Sequence, residues 1–498
     1  MRKYLTVILL GCSLCSMALV PPRDPSRWSE WQALYEQYVQ DMPVNNSTKR
    51  TPASKQVVGE RQFIPRIPVI AVNFTDFTLL SPIEDIDSMF NAESWTKNGA
   101  VGSIRQYFYD QSSGEYNPQF DVFGPITLSS GFAAYGGSRS NVGKMMREVM
   151  DSIDAQIDFT EYDSNNDGTI DLVYVYFAGF AQNDPPSTDV MPASEQNNLV
   201  WPAYYPYVPG GDEGKRFDGK KLQYFEFSNE LDGYLSEKDA YVVAGIGVSV
   251  HEFCHALGLP DLYATSSPAH NGKLSGNWDI MCHGPYNADL HAPAAFTAYE
   301  RFYMGWLTPT LITEPDNYTL SDLTITNSAY LIAENDRHNL DGLNPDSVVF
   351  YLLENRQQGH DWDLDIPGSG MLLTRIHYVP SWWSGNKVNN TIDDLGVDII
   401  EADGKTPSTD TADGFLGKPG DAFPYGGTEY LGIPDHAITD ITMENGVVSF
   451  KYRGGKPVDP TADIQAVAGQ PASKIIRDGQ LLIYRDGCIY SVFGMRQN

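Results

Sequence analysis

Cysteine is scarce in this chain: five in 498 residues, and two of those, Cys12 and Cys15, sit in the apolar leader. Five is too few, and an odd number, for a disulfide framework. Cys254 reads as a small buried packing residue, with a Cys254–Cys282 bridge as the lesser alternative. Positive charge is short as well, since 34 basic against 64 acidic side chains leave a net charge of −30. Phosphate binding needs a basic face, so the balance argues against nucleic acid as a partner. It suits an exported, calcium-binding protein and equally serves solubility. No apolar run after the leader is long enough for a transmembrane span. Aromatic residues are not lacking, at 12% with 29 tyrosines, which speaks against a disordered chain.

The leader reads as an export signal, Met1-Arg2-Lys3 followed by the apolar Tyr4–Leu10. Two endings compete. Leu9-Leu10-Gly11-Cys12 resembles a lipobox, which would put a lipid anchor on Cys12, whereas Ser16-Met17-Ala18 is a small-x-small site for ordinary cleavage. The second is favoured because Leu10 is bulky and the apolar core before Gly11 is short, so residues 1–18 are taken as the signal peptide. Either ending places a bacterial protein outside the cytoplasm, secreted or associated with the cell surface or outer membrane. Residues 19–61 fit a propeptide and a linker equally, with Trp28, Trp31, Leu34, Tyr35 and Tyr38 at helical spacing.

The chemistry concentrates in His251-Glu252-Phe253-Cys254-His255-Ala256-Leu257-Gly258-Leu259-Pro260-Asp261. Histidines four residues apart share one helix face, so His251 and His255 can reach one metal ion. Glu252 projects about 100° round the helix, where it can face a metal-activated water. Gly258 and Pro260 end the helix and turn the chain, which returns Asp261 as a third ligand. Two histidines and a carboxylate leave one position of a tetrahedral zinc site open, as catalysis requires. With nine histidines in the chain, this spacing is expected by chance on the order of 0.01 times. A core helix with two satisfied histidines explains the pattern less well, because a buried Glu252 without a task is costly. The rival third ligand is Glu300, on a helix expected over Pro293–Trp306.

Around this motif the chain alternates strands and helices, which indicates an α/β catalytic domain over residues 62–310. Apolar strands are expected at Ile64–Phe74 and Asp171–Gly179, and helices at Ser103–Tyr109 and Asn141–Ile157. Leu222–Phe227, with its alternation, is a candidate edge strand for binding an extended peptide. Asp163, Asn165, Asp167, Thr169 and Asp171 match the first nine positions of a calcium loop, although position twelve is Tyr174 rather than glutamate. An Asx-rich turn without metal is the plainer alternative. Residues 311–453 read as a β-rich domain, and residues 454–498 as a linker and a tail of three short strands.

The chain resembles the immune inhibitor A-like zinc metallopeptidases, relatives of the metzincins. The resemblance rests on His251–Tyr263, Gly276-Asn277-Trp278-Asp279-Ile280-Met281, Asp163–Asp171, Met304-Gly305-Trp306-Leu307 and Glu354-Asn355-Arg356-Gln357. It implies a metzincin-like catalytic domain with zinc on His251, His255 and Asp261, Glu252 as base, and Met281 in a Met-turn. It also implies calcium, a sandwich-like domain after the catalytic one, and protein or peptide substrates. His283 stands where many metzincins carry a tyrosine, which leaves its role and that of Tyr286 open. The C-terminal tail loosely resembles a sorting signal. The competing reading is a catalytically silent surface adhesin on a peptidase scaffold, against which the intact Glu252 counts.

Overall fold

The computed structural model describes residues 18–28, 61–209, 215–265, 275–391, 393–405, 416–455, 473–477, 480–485, 488–491 and 496–497. Residues up to Gly454 form one compact unit and those from Gly455 a second. The first unit is mixed α/β, as expected. Its six-stranded sheet contains β1 (Ala18–Leu19), β2 (Arg66–Asn73), β3 (Gln119–Thr127), β4 (Val173–Phe177), β5 (Ala203–Tyr205) and β6 (Phe225–Asn229). The spatial order is β1-β5-β6-β4-β2-β3. The four strands from β6 to β3 run parallel, β5 is antiparallel to β6, and β1 is antiparallel to β5.

Side-chain alternation explains why β2 and β4 are apolar throughout: each strand feeds two cores. Ile67, Val69 and Ala71 join Tyr174 and Tyr176 on one face, with α1 (Ile83–Asn91), α2 (Ile104–Gln111) and α4 (Gly247–Leu257). Ile70, Val72, Val173, Val175 and Phe177 join α3 (Arg139–Ile153) on the other. Both flanking helices begin at serine caps: the Ser103 hydroxyl accepts from the Gln106 amide, and Ser138 from Asn141. The helix expected over Pro293–Trp306 is shorter. α5 runs Ala298–Met304, because a Thr297–Glu300 capping box sets its start and the left-handed Gly305 its end.

One expectation is corrected. Leu222–Phe227 does not form the sheet edge, because β6 lies between β4 and β5 and is buried along its length. Its polar positions mimic a solvated face, yet the Ser228 hydroxyl accepts from Tyr174 Oη at 2.6 Å inside the core. The strand beyond it is β5, only three residues long.

After Leu307 the chain is β-rich. Five strands (Thr310–Leu311, Tyr330–Ala333, Val349–Arg356, Gly370–His377 and Val397–Ile399) make one sheet. Asp316–Leu320, Val447–Tyr452 and Ile438–Glu444 make another. Side chains of Val349–Arg356 alternate between two cores: Tyr351 and Leu353 share one with Val448 and Phe450, while Phe350 and Leu352 pack into the core that holds α4. Packing is therefore continuous across residue 310. In the second unit, Ser473–Arg477, Gln480–Arg485, Cys488–Ser491 and Arg496–Gln497 form an antiparallel meander. Of the helix expected near Trp28–Tyr38 only Trp28 falls within the described residues, and the leader residue Cys12 lies outside them.

Candidate metal centre and cleft

The site is built on α4, all eleven residues of which are buried. Phe253 and Cys254 anchor one side of the helix in the core. Gly247 lets its first turn press against the 284–290 segment, since a Cβ there would lie 1.9 Å from the Pro285 carbonyl oxygen. Gly258 takes φ 109° as the left-handed cap, and the Leu259 amide closes on the Cys254 carbonyl at 3.0 Å. The chain then turns back with Asp261 under the helix face.

His251 and His255 face each other with Nε2 atoms 3.2 Å apart. Asp261 Oδ1 lies 3.4 Å from the first and 3.2 Å from the second. Each ring donates its Nδ1–H to a backbone carbonyl, His251 to Ile280 and His255 to Leu259, both at 2.8 Å. Carbonyl oxygens can only accept, so the neutral rings present bare Nε2 lone pairs to one another and to the carboxylate. Three buried acceptors converge on one point, and Asp261 Oδ1 has no hydrogen-bond donor. Such a set repels itself unless a cation sits among it, and its nitrogen and oxygen donors suit zinc. Among the described residues this is the one cluster of three or more such side chains placed to hold a metal ion.

Supporting contacts come from distant sequence. Asn386 donates to Asp261 Oδ2 at 2.6 Å and accepts from the Asp261 amide at 2.7 Å. Asn389 and Asn390 hold the carbonyl of Leu262 and the amide of Thr265. None of these three was singled out in the sequence, where nothing but a local run of asparagines marks them. Glu300 does not join the cluster. It closes the capping box of α5 and faces Asp279, and with burial and that neighbouring carboxyl its pKa lies well above the ordinary range. Asp279 in turn accepts from the Met281 amide at 2.7 Å. Met281 is fully buried in the turn whose Ile280 carbonyl orients His251. Cys254 and Cys282 are both free and buried, and no bridge joins them.

Glu252 is fully buried beside the cluster. Burial, aided by the Asp261 charge, pushes its carboxyl up to about 8, against the hydrogen bonds it accepts from the Val20 and Tyr204 amides. Its Oε2 accepts from the Tyr204 amide of β5 at 2.8 Å and its Oε1 from the Val20 amide at 3.0 Å. Residues 18–23 thus run along the sheet edge past Glu252 as an extended peptide. Ala18 and Leu19 pair with Tyr204 and Ala203. The Val20 carbonyl accepts from Trp201 Nε1 at 3.2 Å and the Pro21 carbonyl from Tyr286 Oη at 2.5 Å. His283 Nε2 lies 3.1 Å from the Arg23 carbonyl, and burial lowers its pKa to about 4. His283 and Tyr286, left open in the sequence, therefore both meet main-chain oxygens of this segment.

The Asp163–Asp171 loop is ordered by its own side chains. Asp163 accepts from the Asp167 and Gly168 amides, Asn165 from Asp167, and Asp167 from Thr169. Asp171 accepts from Ser164 at 2.8 Å. Asn165, Asp167, Thr169 and Asp171 line a cavity of about 10 Å³, while Lys220 Nζ sits 2.6 Å from Asp163. Four of the five expected positions thus border a space of cation size, and a lysine occupies the fifth carboxylate.

Residues 221–307 match the profile of the immune inhibitor A peptidase M6 catalytic domain. The chain is similar to immune inhibitor A of Bacillus thuringiensis subsp. alesti, 23% identical over 49% of this chain and 39% of that protein. It is also similar to the pre-pro-metalloprotease PrtV of Vibrio cholerae serotype O1, 25% identical over 44% of this chain and 25% of that protein. The matched part thus spans well under half the length of these relatives. The crystal structure of OgpA from Akkermansia muciniphila overlaps at 11% identity and a TM-score of 0.27, covering 69% of this chain and 90% of that one. The sequence matches bear out the resemblance to the immune inhibitor A-like metallopeptidases.

Proposed function

We propose that this chain is a secreted bacterial zinc endopeptidase. The observation that carries the reading is the convergence of His251, His255 and Asp261, three buried acceptors within 3.4 Å, with the buried Glu252 next to His251 on the same helix. His251, His255 and Asp261 would hold the zinc, which when bound would supply Lewis acidity toward water and the scissile carbonyl. Glu252 takes the proton of the attacking water and returns it to the leaving nitrogen. Support for the second step is the Val20 amide on Glu252 Oε1, which occupies the place a leaving nitrogen needs. A cation beside Glu252 favours its ionised form and so draws its pKa down from about 8, toward the range in which a base works near neutral pH. Met281 forms the apolar floor of a Met-turn under this reading, and the paired sheets after residue 310 act as a sandwich-like support.

Substrate enters as an added strand on β5, antiparallel to it, as β1 does. Residues 19–61 then read as a propeptide rather than a linker, because their first residues already fill that path. Calcium belongs to the same proposal: Asn165, Asp167, Thr169 and Asp171 would hold it, with Asp163 joining when Lys220 turns away. The test is a casein zymogram of the full chain, processed and unprocessed. Clearing that a zinc chelator abolishes and added zinc restores is expected. Clearing that persists without metal would contradict the proposal.

A further inference from the structure

The cleft holds more than the catalytic cluster. Where residues 20–23 leave Glu252, the Arg23 side chain turns into a recess walled by acidic groups. Its Nη1 lies 2.9 Å from Asp232 Oδ2 and 3.7 Å from Asp184 Oδ2, and its Nη2 contacts Asp289. Its Cζ sits 4.6 Å over the ring of Tyr234. The Asp232 side chain is fully buried and that of Asp184 only 9% exposed.

The recess is rigidly built. Asp232 Oδ1 accepts from the Leu235 amide at 2.7 Å, and Asp184 Oδ2 from the Gly233 amide at 3.1 Å. A Cβ on Gly233 would lie 1.9 Å from the Asp184 carbonyl oxygen, so the two walls touch. His291 is 7% exposed, its Nδ1 has no hydrogen-bond partner, and it feels the charges of Asp232, Asp289 and Arg23. Two buried carboxylates side by side require a cation between them. Burial and the neighbouring Asp232 charge raise the Asp184 carboxyl to about 6 even with Arg23 in place.

A planar guanidinium meets this need better than an ammonium. It can bridge two carboxylates and stack on an aromatic face at once. The occupant here is covalently part of the chain, but it arrives along the route that Glu252 and β5 define for any extended peptide. Arg23 is the third residue after Val20, the residue whose amide meets Glu252. The distance between recess and catalytic glutamate is therefore fixed in units of peptide.

We propose that Asp184, Asp232, Asp289 and Tyr234 form a specificity subsite that selects peptides carrying arginine three residues beyond the residue whose nitrogen is released by cleavage. This rests on the peptidase reading and names its substrate class. The N-terminal segment holds the subsite through the same arginine that a substrate would present.

Two measurements on the full chain test it. In hydrogen exchange, Arg23→Ala and Asp232→Asn should each speed exchange of the residue 18–28 segment by at least ~10-fold, with Arg23→Lys intermediate. The Asp232→Asn change keeps a side-chain oxygen to accept from the Leu235 amide, so folding is retained. In the second, two synthetic peptides that differ only in arginine or alanine at the selected place compete for the Arg23→Ala chain. The arginine peptide should be cut with at least ~10-fold higher kcat/KM. The preference should fall to within about twofold when Asp232→Asn is added. Equal cutting of both peptides by the Arg23→Ala chain would overturn the subsite. Unchanged exchange in Asp232→Asn would overturn the seat for Arg23. If neither peptide is cut while exchange responds as expected, the recess is only a latch for the chain's own segment. The peptidase reading and the substrate claim then fall together.

Discussion

Asp261 needs two kinds of partner: a cation on Oδ1, and Asn386 on Oδ2 and on its own amide. The residues proposed as ligands were legible because their spacing is dictated by helix geometry and a glycine stop. Asn386 was not, because it lies 125 residues away and only the fold brings it near. Asp261→Ala should weaken zinc binding by orders of magnitude, whereas Glu300→Ala should keep stoichiometric zinc, since Glu300 serves the α5 cap. Asn386→Ala leaves the ligands in place but loosens one of them, and should raise the zinc Kd by about 10–100-fold. Competition with a calibrated chelator measures all three. A reverse ranking of Asp261 and Glu300 would break the site assignment.

At the scale of the element, α4 is held by close backbone approach as much as by its apolar residues. Gly247→Ala places a methyl against Pro285 and should destabilise the fold by about 1–3 kcal/mol, read from a denaturant midpoint. A variant as stable as the parent would mean that the 284–290 segment yields freely. The helix itself was readable from apolar residues and a glycine stop. The strand beside it was not. Alternation in Leu222–Phe227 looked like a solvated edge, but Glu226 and Ser228 are buried between two cores, and the strand beyond β6 has three residues and no pattern to read. For the Asp163–Asp171 loop, calcium should raise the melting temperature and Asp167→Ala should remove that rise. Equal melting in calcium and in a calcium-selective chelator would assign the loop to an Asx turn alone.

The whole molecule is one compact unit to Gly454, whose N-terminal segment lies in its own cleft, and a small meander after it. Composition spoke to charge and export but not to this self-occupation, which depends on which chain end meets β5. His283 couples the segment to pH. Burial lowers its pKa from 6.5 to about 4, so the unfolded state takes up the proton first as the solution is acidified. Its contribution to stability is complete above pH 6.5 and is lost as pH falls toward 4, up to about 3 kcal/mol. His283→Asn should flatten the pH dependence of stability in that window. An unchanged slope would show that other groups govern the acid limb.

Glu252 bears the central claim, since it is the one group asked to move protons without binding metal. The most direct test replaces it with glutamine in the full chain and measures zinc content and peptide hydrolysis on the same preparation. Stoichiometric zinc with hydrolysis reduced by at least ~100-fold is the expected result. Turnover close to that of the parent, with zinc retained, would contradict the account.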